Sequence, residues 1–219
     1  MKKNKNWYLL VGVSVLVLTA FVILGKIYKQ SAAKDAENSA QSSMTAERLI
    51  REDSWSQGPS VARVTIVEFL DPECESCAAM YPVVKDVLAG YNGKIRLVTR
   101  YMPFHGNSVY AATALEAAGR QNKYWEALAL LFEKQGDWAS HHAPRPDLIP
   151  GLMKSLGIDM KRFDADINDP SFKEKIEKDK TDGFALGVRV TPTFFINGRL
   201  LSELGYDALK NRIDEELSK

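Results

Sequence analysis

The stretch Val64-Thr65-Ile66-Val67-Glu68-Phe69-Leu70-Asp71-Pro72-Glu73-Cys74-Glu75-Ser76-Cys77 decides how this 219-residue chain folds. Val64 to Phe69 is a β-branched, apolar run with a single acid inside it, the pattern of a strand buried on both faces. Leu70 to Glu73 turn directly into a C-x-x-C. From Cys77 onward, Met80, Val83, Val84, Val87 and Leu88 fall at helical spacing, with Pro82 inside the pattern and a kink expected there. Gly90 to Gly93 ends that helix, and Ile95 to Tyr101 reads as a second strand. Strand, helix, strand in this order is a βαβ unit with a parallel pair.

Toward the C-terminus, residues 107–134 are rich in Ala and Leu, with Tyr124, Leu128, Leu131 and Phe132 on one face and an interruption at Gly119–Asn122. Gly136 to Pro146 reads as a loop. Leu148, Leu152 and Leu156 recur at i, i+4, i+8 and are expected in the core, as are Trp125 and Phe132. Asp159 is placed to cap a short helix carrying Phe163 and Ile167. Ser171 to Leu186 predicts a charged helix with Phe172, Ile176 and Phe184 inward, stopped by Gly187. Asn197-Gly198, between Thr193–Ile196 and Arg199–Leu201, is a strong hairpin signal. Tyr206 to Leu217 closes the chain as an amphipathic helix. The predicted class is α/β: a βαβ unit, a helical insert over about 104–172, then α-ββ-α.

Toward the N-terminus, Trp7 to Leu24 run 18 positions without a charge, between three lysines and two. About 20 helical residues span a bilayer core, so the run is long enough to cross one. A cleaved signal peptide is the rival, but its apolar region is shorter and a small-x-small site follows closely. Here Gly25 to Gln30 intervene before Ser31-Ala32-Ala33, so residues 1–30 read as an uncleaved N-terminal transmembrane helix. Lys2, Lys3 and Lys5 favour a cytoplasmic N-terminus and a domain outside. Residues 31–57 read as a polar linker with a short amphipathic stretch at 46–52, and Gly58-Pro59-Ser60 opens a domain running to 219. Without the five lysines of residues 1–30, the chain has 24 basic against 28 acidic side chains, a net of −4. That balance excludes a basic nucleic-acid-binding protein.

A C-x-x-C that follows a buried strand and opens a helix has a clear chemistry. The helix N-terminus stabilises a Cys74 thiolate. Cys77, one turn further on, can attack a mixed disulfide at Cys74. The other readings are a static disulfide or half of a zinc site. Zinc needs further ligands, and beyond the pair the chain offers His105, His141 and His142. A redox pair is the reading favoured beside a βαβ pattern. No metal or cofactor is expected. His141 and His142 read as exposed loop residues, and His105 as a packing or hydrogen-bonding residue.

Glu68 six residues before Cys74, the C-x-x-C itself, and Val190-Thr191-Pro192-Thr193-Phe194-Phe195-Ile196-Asn197-Gly198 together resemble the DsbA-like thioredoxin-fold proteins. Phe104-His105-Gly106-Asn107-Ser108, an Ala-rich stretch and Tyr124-Trp125 are similar to their helical insert. The resemblance covers residues 58–219. It implies a thioredoxin fold with an inserted helical domain, acting on protein thiols outside the cytoplasm. It implies Cys74 as the exposed nucleophile, Cys77 as the buried resolving thiol and Glu68 as the buried carboxylate beneath them. Thr191 and Pro192, the latter a cis-proline, would face the substrate. A quinone-linked membrane partner is implied for an oxidase.

The chain departs from the family's strong oxidants in having Glu75 and Ser76 where they carry proline and histidine. With Asp71 and Glu73 upstream, these acids are expected to raise the Cys74 pKa and weaken the oxidant. Thr191 is similar to the corresponding residue of the disulfide isomerases. The pair is expected to be less oxidising than the strong oxidases, and a dithiol oxidase, which the resemblance implies, stays the first reading. An isomerase or reductase is the alternative within the class, and a Cu(I)-handling envelope protein the alternative outside it.

Overall fold

The structure is a computed structural model that describes residues 44–219 continuously and, before them, residues 24, 26, 28–31 and 34. The chain divides into two units, Met1–Thr45 and Ala46–Lys219. The span expected over Trp7–Leu24 lies outside the described residues apart from its last position. Among the described residues, no helix is long and apolar enough to cross a membrane.

The second unit is built on a five-stranded sheet. Its strands are β1 (Trp55–Gln57), β2 (Val64–Leu70), β3 (Ile95–Tyr101), β4 (Thr193–Ile196) and β5 (Arg199–Leu200), in the order β1-β3-β2-β4-β5. β2 and β3 are parallel, in register from Val64 opposite Ile95 to Leu70 opposite Tyr101. β4 lies antiparallel on the other side of β2, with Glu68 opposite Phe194. The βαβ unit and its parallel pair are as the sequence predicts. β4 turns into β5 at Asn197 and Gly198, whose φ values of +46° and +80° are those of the two-residue hairpin turn that Asn-Gly favours. Asn197 also accepts a hydrogen bond from the Thr65 N–H at 2.8 Å, tying the turn to β2.

Helix α1 (Glu75–Gly90) contains Pro82 and packs with α8 (Tyr206–Leu217) on one face of the sheet. Met80, Val84, Val87, Leu209 and Ile213 meet Val64, Ile66, Leu97, Phe194 and Ile196 there. The other face buries Val67, Phe69, Val98 and Phe195 with Leu49, Met102 and Val188. The insert comprises α2 (Ser108–Gly119), α3 (Tyr124–Glu133), α4 (Gln135–Trp138), α5 (Ile149–Ser155) and α6 (Met160–Asp166), followed by α7 (Pro170–Ala185). Asp159 caps α6 as expected, accepting from the N–H groups of Lys161 and Arg162. The insert's core includes Leu128, Leu131, Trp138 and Ile149 and is continuous with Leu70, Cys74, Cys77 and Tyr101. The C-x-x-C thus sits on the seam between sheet and insert.

Four expectations are corrected. The loop expected from Gly136 begins later, because Gln135–Trp138 is helical and buried Trp138 donates to the Leu131 carbonyl at 2.9 Å. Leu148 is exposed, and Ile149 and Met153 point inward instead. A 3₁₀ turn at Pro146–Leu148 changes the helical pitch before α5 and shifts the apolar phase by one residue. Phe184 is 40% exposed, because Asp182 and Gly183 occupy the buried side of α7 at that level. Finally, the stretch read as linker contributes to the fold. β1 pairs antiparallel with β3, and Leu49, in the helical turn at 46–49, is buried. Trp55 lies against Gly119, where a Cβ would come within 2.2 Å of its ring. Only glycine lets α2 and β1 meet there.

Candidate active site

Cys74 occupies the N-cap of α1 with extended backbone angles, at the positive end of the helix dipole. It is 8% exposed and Cys77 is fully buried. Both are free thiols. A hydrogen bond from the Cys77 thiol is the largest influence on Cys74. With a hydrogen bond from the Thr191 side chain and the N–H groups of Cys77 and Ser76, it outweighs burial and brings the Cys74 pKa down to about 5. Burial does the reverse at Cys77 and pushes its thiol far above the ordinary range, helped by the neighbouring Cys74 and Glu68 charges. The pair is therefore polarised, with a ready thiolate at the surface and a reluctant one beneath it.

The loop opposite is set by β4. The Thr191–Pro192 peptide bond is cis. The Thr191 carbonyl lies 3.3 Å from Cys74 Sγ, and Thr193 Oγ1 donates to the Val190 carbonyl at 2.6 Å, bracing the loop. Glu68, on β2, is 4% exposed and makes no side-chain hydrogen bond among the described residues. Burial alone lifts its pKa to about 8, so it holds a proton at neutral pH. Its charge, when present, is felt at Cys77. All five residues assigned from sequence to the chemistry and its substrate face therefore converge on one end of the sheet.

The acids beside the cysteines behave differently from the sequence expectation, which had them raise the Cys74 pKa. Asp71 is fully buried and its carboxylate is saturated. One oxygen accepts from Glu73 N–H at 2.9 Å. The other accepts from Phe104 N–H at 2.7 Å and from His105 N–H at 3.3 Å, and lies 2.7 Å from His105 Nδ1. Glu73 accepts from the backbone N–H and side-chain amide of Asn107, at 2.6 and 2.9 Å, and from Ser108 Oγ at 3.3 Å. These carboxylates grip the entry to α2 rather than face the thiolate. Glu75 points into solvent, 3.3 Å from His141 Nε2. Ser76 acts through its backbone N–H on Cys74, lowering its pKa.

Sequence reasoning missed Gln135. Its side-chain amide donates to the carbonyls of Pro72 and Cys74, at 3.0 and 3.1 Å, fixing the backbone just ahead of the helix. It also missed the pairing of Asp71 with His105. Both join the insert to the C-x-x-C turn across more than 30 residues, and no local spacing signals them. Among the described residues, no group of three or more His, Cys, Asp or Glu side chains is placed to hold a metal ion.

The sequence profile of the thioredoxin family matches residues 50–215. The Na(+)/H(+) antiporter NhaA of Herminiimonas arsenicoxydans is 35% identical over 199 residues, a match covering 90% of this chain and 31% of the antiporter. The chain thus spans less than a third of that relative's length. Disulfide bond formation protein D of Bacillus subtilis (strain 168) is 30% identical over 170 residues, covering 73% of this chain and 75% of that protein. The crystal structure of oxidised BdbD from Bacillus subtilis superposes with a TM-score of 0.66 at 28% identity, covering 75% of this chain and 92% of that one.

Proposed function

The chain belongs to the thioredoxin family, within its DsbA-like branch of thiol–disulfide oxidoreductases, and from that premise we propose that it exchanges disulfides with extracytoplasmic proteins through Cys74 and Cys77, as a dithiol oxidase. The observation that carries the direction is the place of Cys74 at the N-cap of α1, where the helix dipole and the N–H groups of Ser76 and Cys77 favour its thiolate and its pKa falls to about 5. A stabilised thiolate favours the reduced pair, and a pair that prefers to be reduced oxidises its partner.

The cycle starts from the Cys74–Cys77 disulfide. A substrate thiolate attacks Cys74 Sγ, the bond between the two enzyme sulfurs breaks, and Cys77 leaves. Cys77 is too buried to remain a thiolate and takes the proton that Glu68 carries near neutrality. A second substrate thiolate then attacks the substrate sulfur of the mixed disulfide. Cys74 leaves as the stabilised thiolate, two substrate cysteines have lost two electrons, and the pair has gained them. Thr191, beside the cis-proline Pro192, offers backbone edge-on to a substrate peptide next to Cys74. Ser76 tunes the pair through its N–H, and Glu75 acts on it only through a solvent-screened charge.

Residues 1–30 serve as the membrane anchor, N-terminus in the cytoplasm, with the domain outside. The two electrons pass on to a quinone-linked membrane partner, and the tether raises its effective concentration. An equilibrium titration of the full chain against glutathione tests the direction. A potential well above thioredoxin's roughly −270 mV, toward the roughly −120 mV of a strong periplasmic oxidant, is expected. A value at or below thioredoxin's sinks the oxidase and leaves a reductase or isomerase.

A further inference from the structure

The turn that carries Cys74 also holds an imidazole, and it is supplied by the insert. Asp71 links the two through three of its groups. Its carbonyl accepts from Cys74 N–H at 3.0 Å and its own N–H reaches Cys77 Sγ at 3.5 Å. Its buried carboxylate binds both the backbone N–H and Nδ1 of His105. The His105 N–H also reaches Ser108 Oγ at 3.2 Å, and Glu73 fixes Asn107 and Ser108 just beyond. Two carboxylates ahead of Cys74 thus set the position of one ring. With Nδ1 committed to Asp71, Nε2 is left without a hydrogen-bond partner among the described residues, on a ring that is partly exposed.

We propose that His105 is a positioning residue for the Cys74 thiolate, and that Asp71 holds it, protonated, where the C-x-x-C has no histidine of its own. This rests on the oxidoreductase reading above. The charged groups that act on the ring are Asp71, which touches its Nδ1, and at longer range Cys74 and Glu73, while His141, whose ring centroid lies 6.2 Å away, has Glu75 as its own partner. Burial lowers the His105 pKa, but Asp71, then Cys74 and Glu73, raise it above its ordinary 6.5 overall. Thiolate and imidazolium therefore coexist between about pH 5, where Cys74 ionises, and the point where His105 loses its proton. Above that point the thiolate is held less firmly and is more nucleophilic.

The test is the rate of Cys74 alkylation by iodoacetamide against pH, on the reduced full chain. The wild-type profile is expected to rise in two steps, the first at Cys74 ionisation and the second at His105 titration. His105→Asn keeps an N–H for Asp71 but cannot titrate. It should abolish the second step and move the first to higher pH, to about threefold lower proton concentration, the size of one partly screened charge. Asp71→Asn should move the second step to lower pH. A wild-type profile with a single step, or a His105→Asn profile that superimposes on it, overturns the proposal. Failure of the oxidoreductase reading would appear elsewhere, as absent disulfide transfer to a dithiol peptide, while the alkylation profile still reports on His105.

Discussion

Glu68 on β2 and Asp179 on α7 are both buried carboxylates, and they approach the centre of the sheet from opposite sides. Glu68 is in register with Thr99 of β3, and the next residue, Arg100, points to the other face, where Asp179 meets it. Burial is the largest influence on both. It lifts Glu68 to about 8 and Asp179 only to about 6. The difference lies in partners. Asp179 accepts from Arg100 Nε at 2.7 Å and from Tyr101 N–H at 2.9 Å. Its neighbour Asp182 also feels burial first, but two Arg51 bonds and one Arg100 bond, each 2.8 Å, hold its pKa below the usual value. Glu68 has no such partner. At pH 7 one acid is a fixed ion in a structural cluster and the other carries a mobile proton beneath a redox pair. Desolvation acts on both, and the facing arginine decides which acid is available for chemistry.

The strongest way to break this contrast is to remove the arginine. Arg100→Leu leaves Asp179 and Asp182 facing an apolar side chain, and also loses the bonds from Arg100 to the Arg48 and Leu49 carbonyls. Breaking a buried pair on one side costs about 3–5 kcal/mol. The guanidinium midpoint of the full chain should fall accordingly, and Asp179 should become a proton carrier like Glu68. A loss under about 1 kcal/mol would mean the cluster contributes little beyond packing.

Glu68 sharpens the contrast through pH. Its folded pKa of about 8 exceeds the 4.5 of a free glutamate, so the folded state keeps a proton that the unfolded state releases. Stability is therefore lost as pH rises through that window, by about 3 kcal/mol at pH 7. Asp179 contributes with the same sign, but only between 3.8 and about 6. Glu68→Gln should flatten the stability profile between about pH 6 and 8 and leave between 4.5 and 6 only the slope that Asp179 contributes. Denaturant midpoints of the reduced protein at closely spaced pH values check this, and an unchanged upper limb would mean Glu68 is ionised in the fold. The same substitution should slow substrate oxidation by about 10²-fold, the usual worth of a positioned proton donor, with Cys74 alkylation unaffected. Stopped-flow fluorescence of the pair's reduction measures the first effect, and a rate within about twofold of wild type would remove Glu68 from the proton path.

Much of this contrast was legible in the sequence. The run Val64–Leu70 reads as a strand buried on both faces, and the family resemblance puts its one acid, Glu68, beneath the redox pair. The C-x-x-C, the Thr191–Pro192 pair and the Asn197–Gly198 turn are local signals, and each appears where the pattern put it. Long-range partners were not legible. Arg100 reads as one charge in a strand, and nothing in Lys173 to Lys180 marks Asp179 as its mate rather than one of a solvated face. Asp71 and Glu73 were read by their charge, whereas the fold uses them for their hydrogen-bonding capacity toward residues 104–108. The helical phase failed where a 3₁₀ turn intervened at Pro146–Leu148, because periodicity assumes one pitch throughout.

Glu75 is the acid that remains free to act on Cys74 by charge alone, so it isolates what an exposed carboxylate can do. Its side chain is 74% exposed and pairs with His141 at 3.3 Å, itself well solvated. Charges in such surroundings are screened by water and salt, and an exposed pair contributes little. Glu75→Gln should shift the equilibrium with glutathione by less than about twofold, or under about 9 mV at about 30 mV per tenfold change. Raising the salt concentration should reduce even that. A tenfold shift would mean that the field of the turn reaches Cys74 unscreened. The low Cys74 pKa would then have to survive against that field, and hydrogen bonds from Cys77, Thr191 and the helix N–H groups would need to be stronger than their geometry suggests.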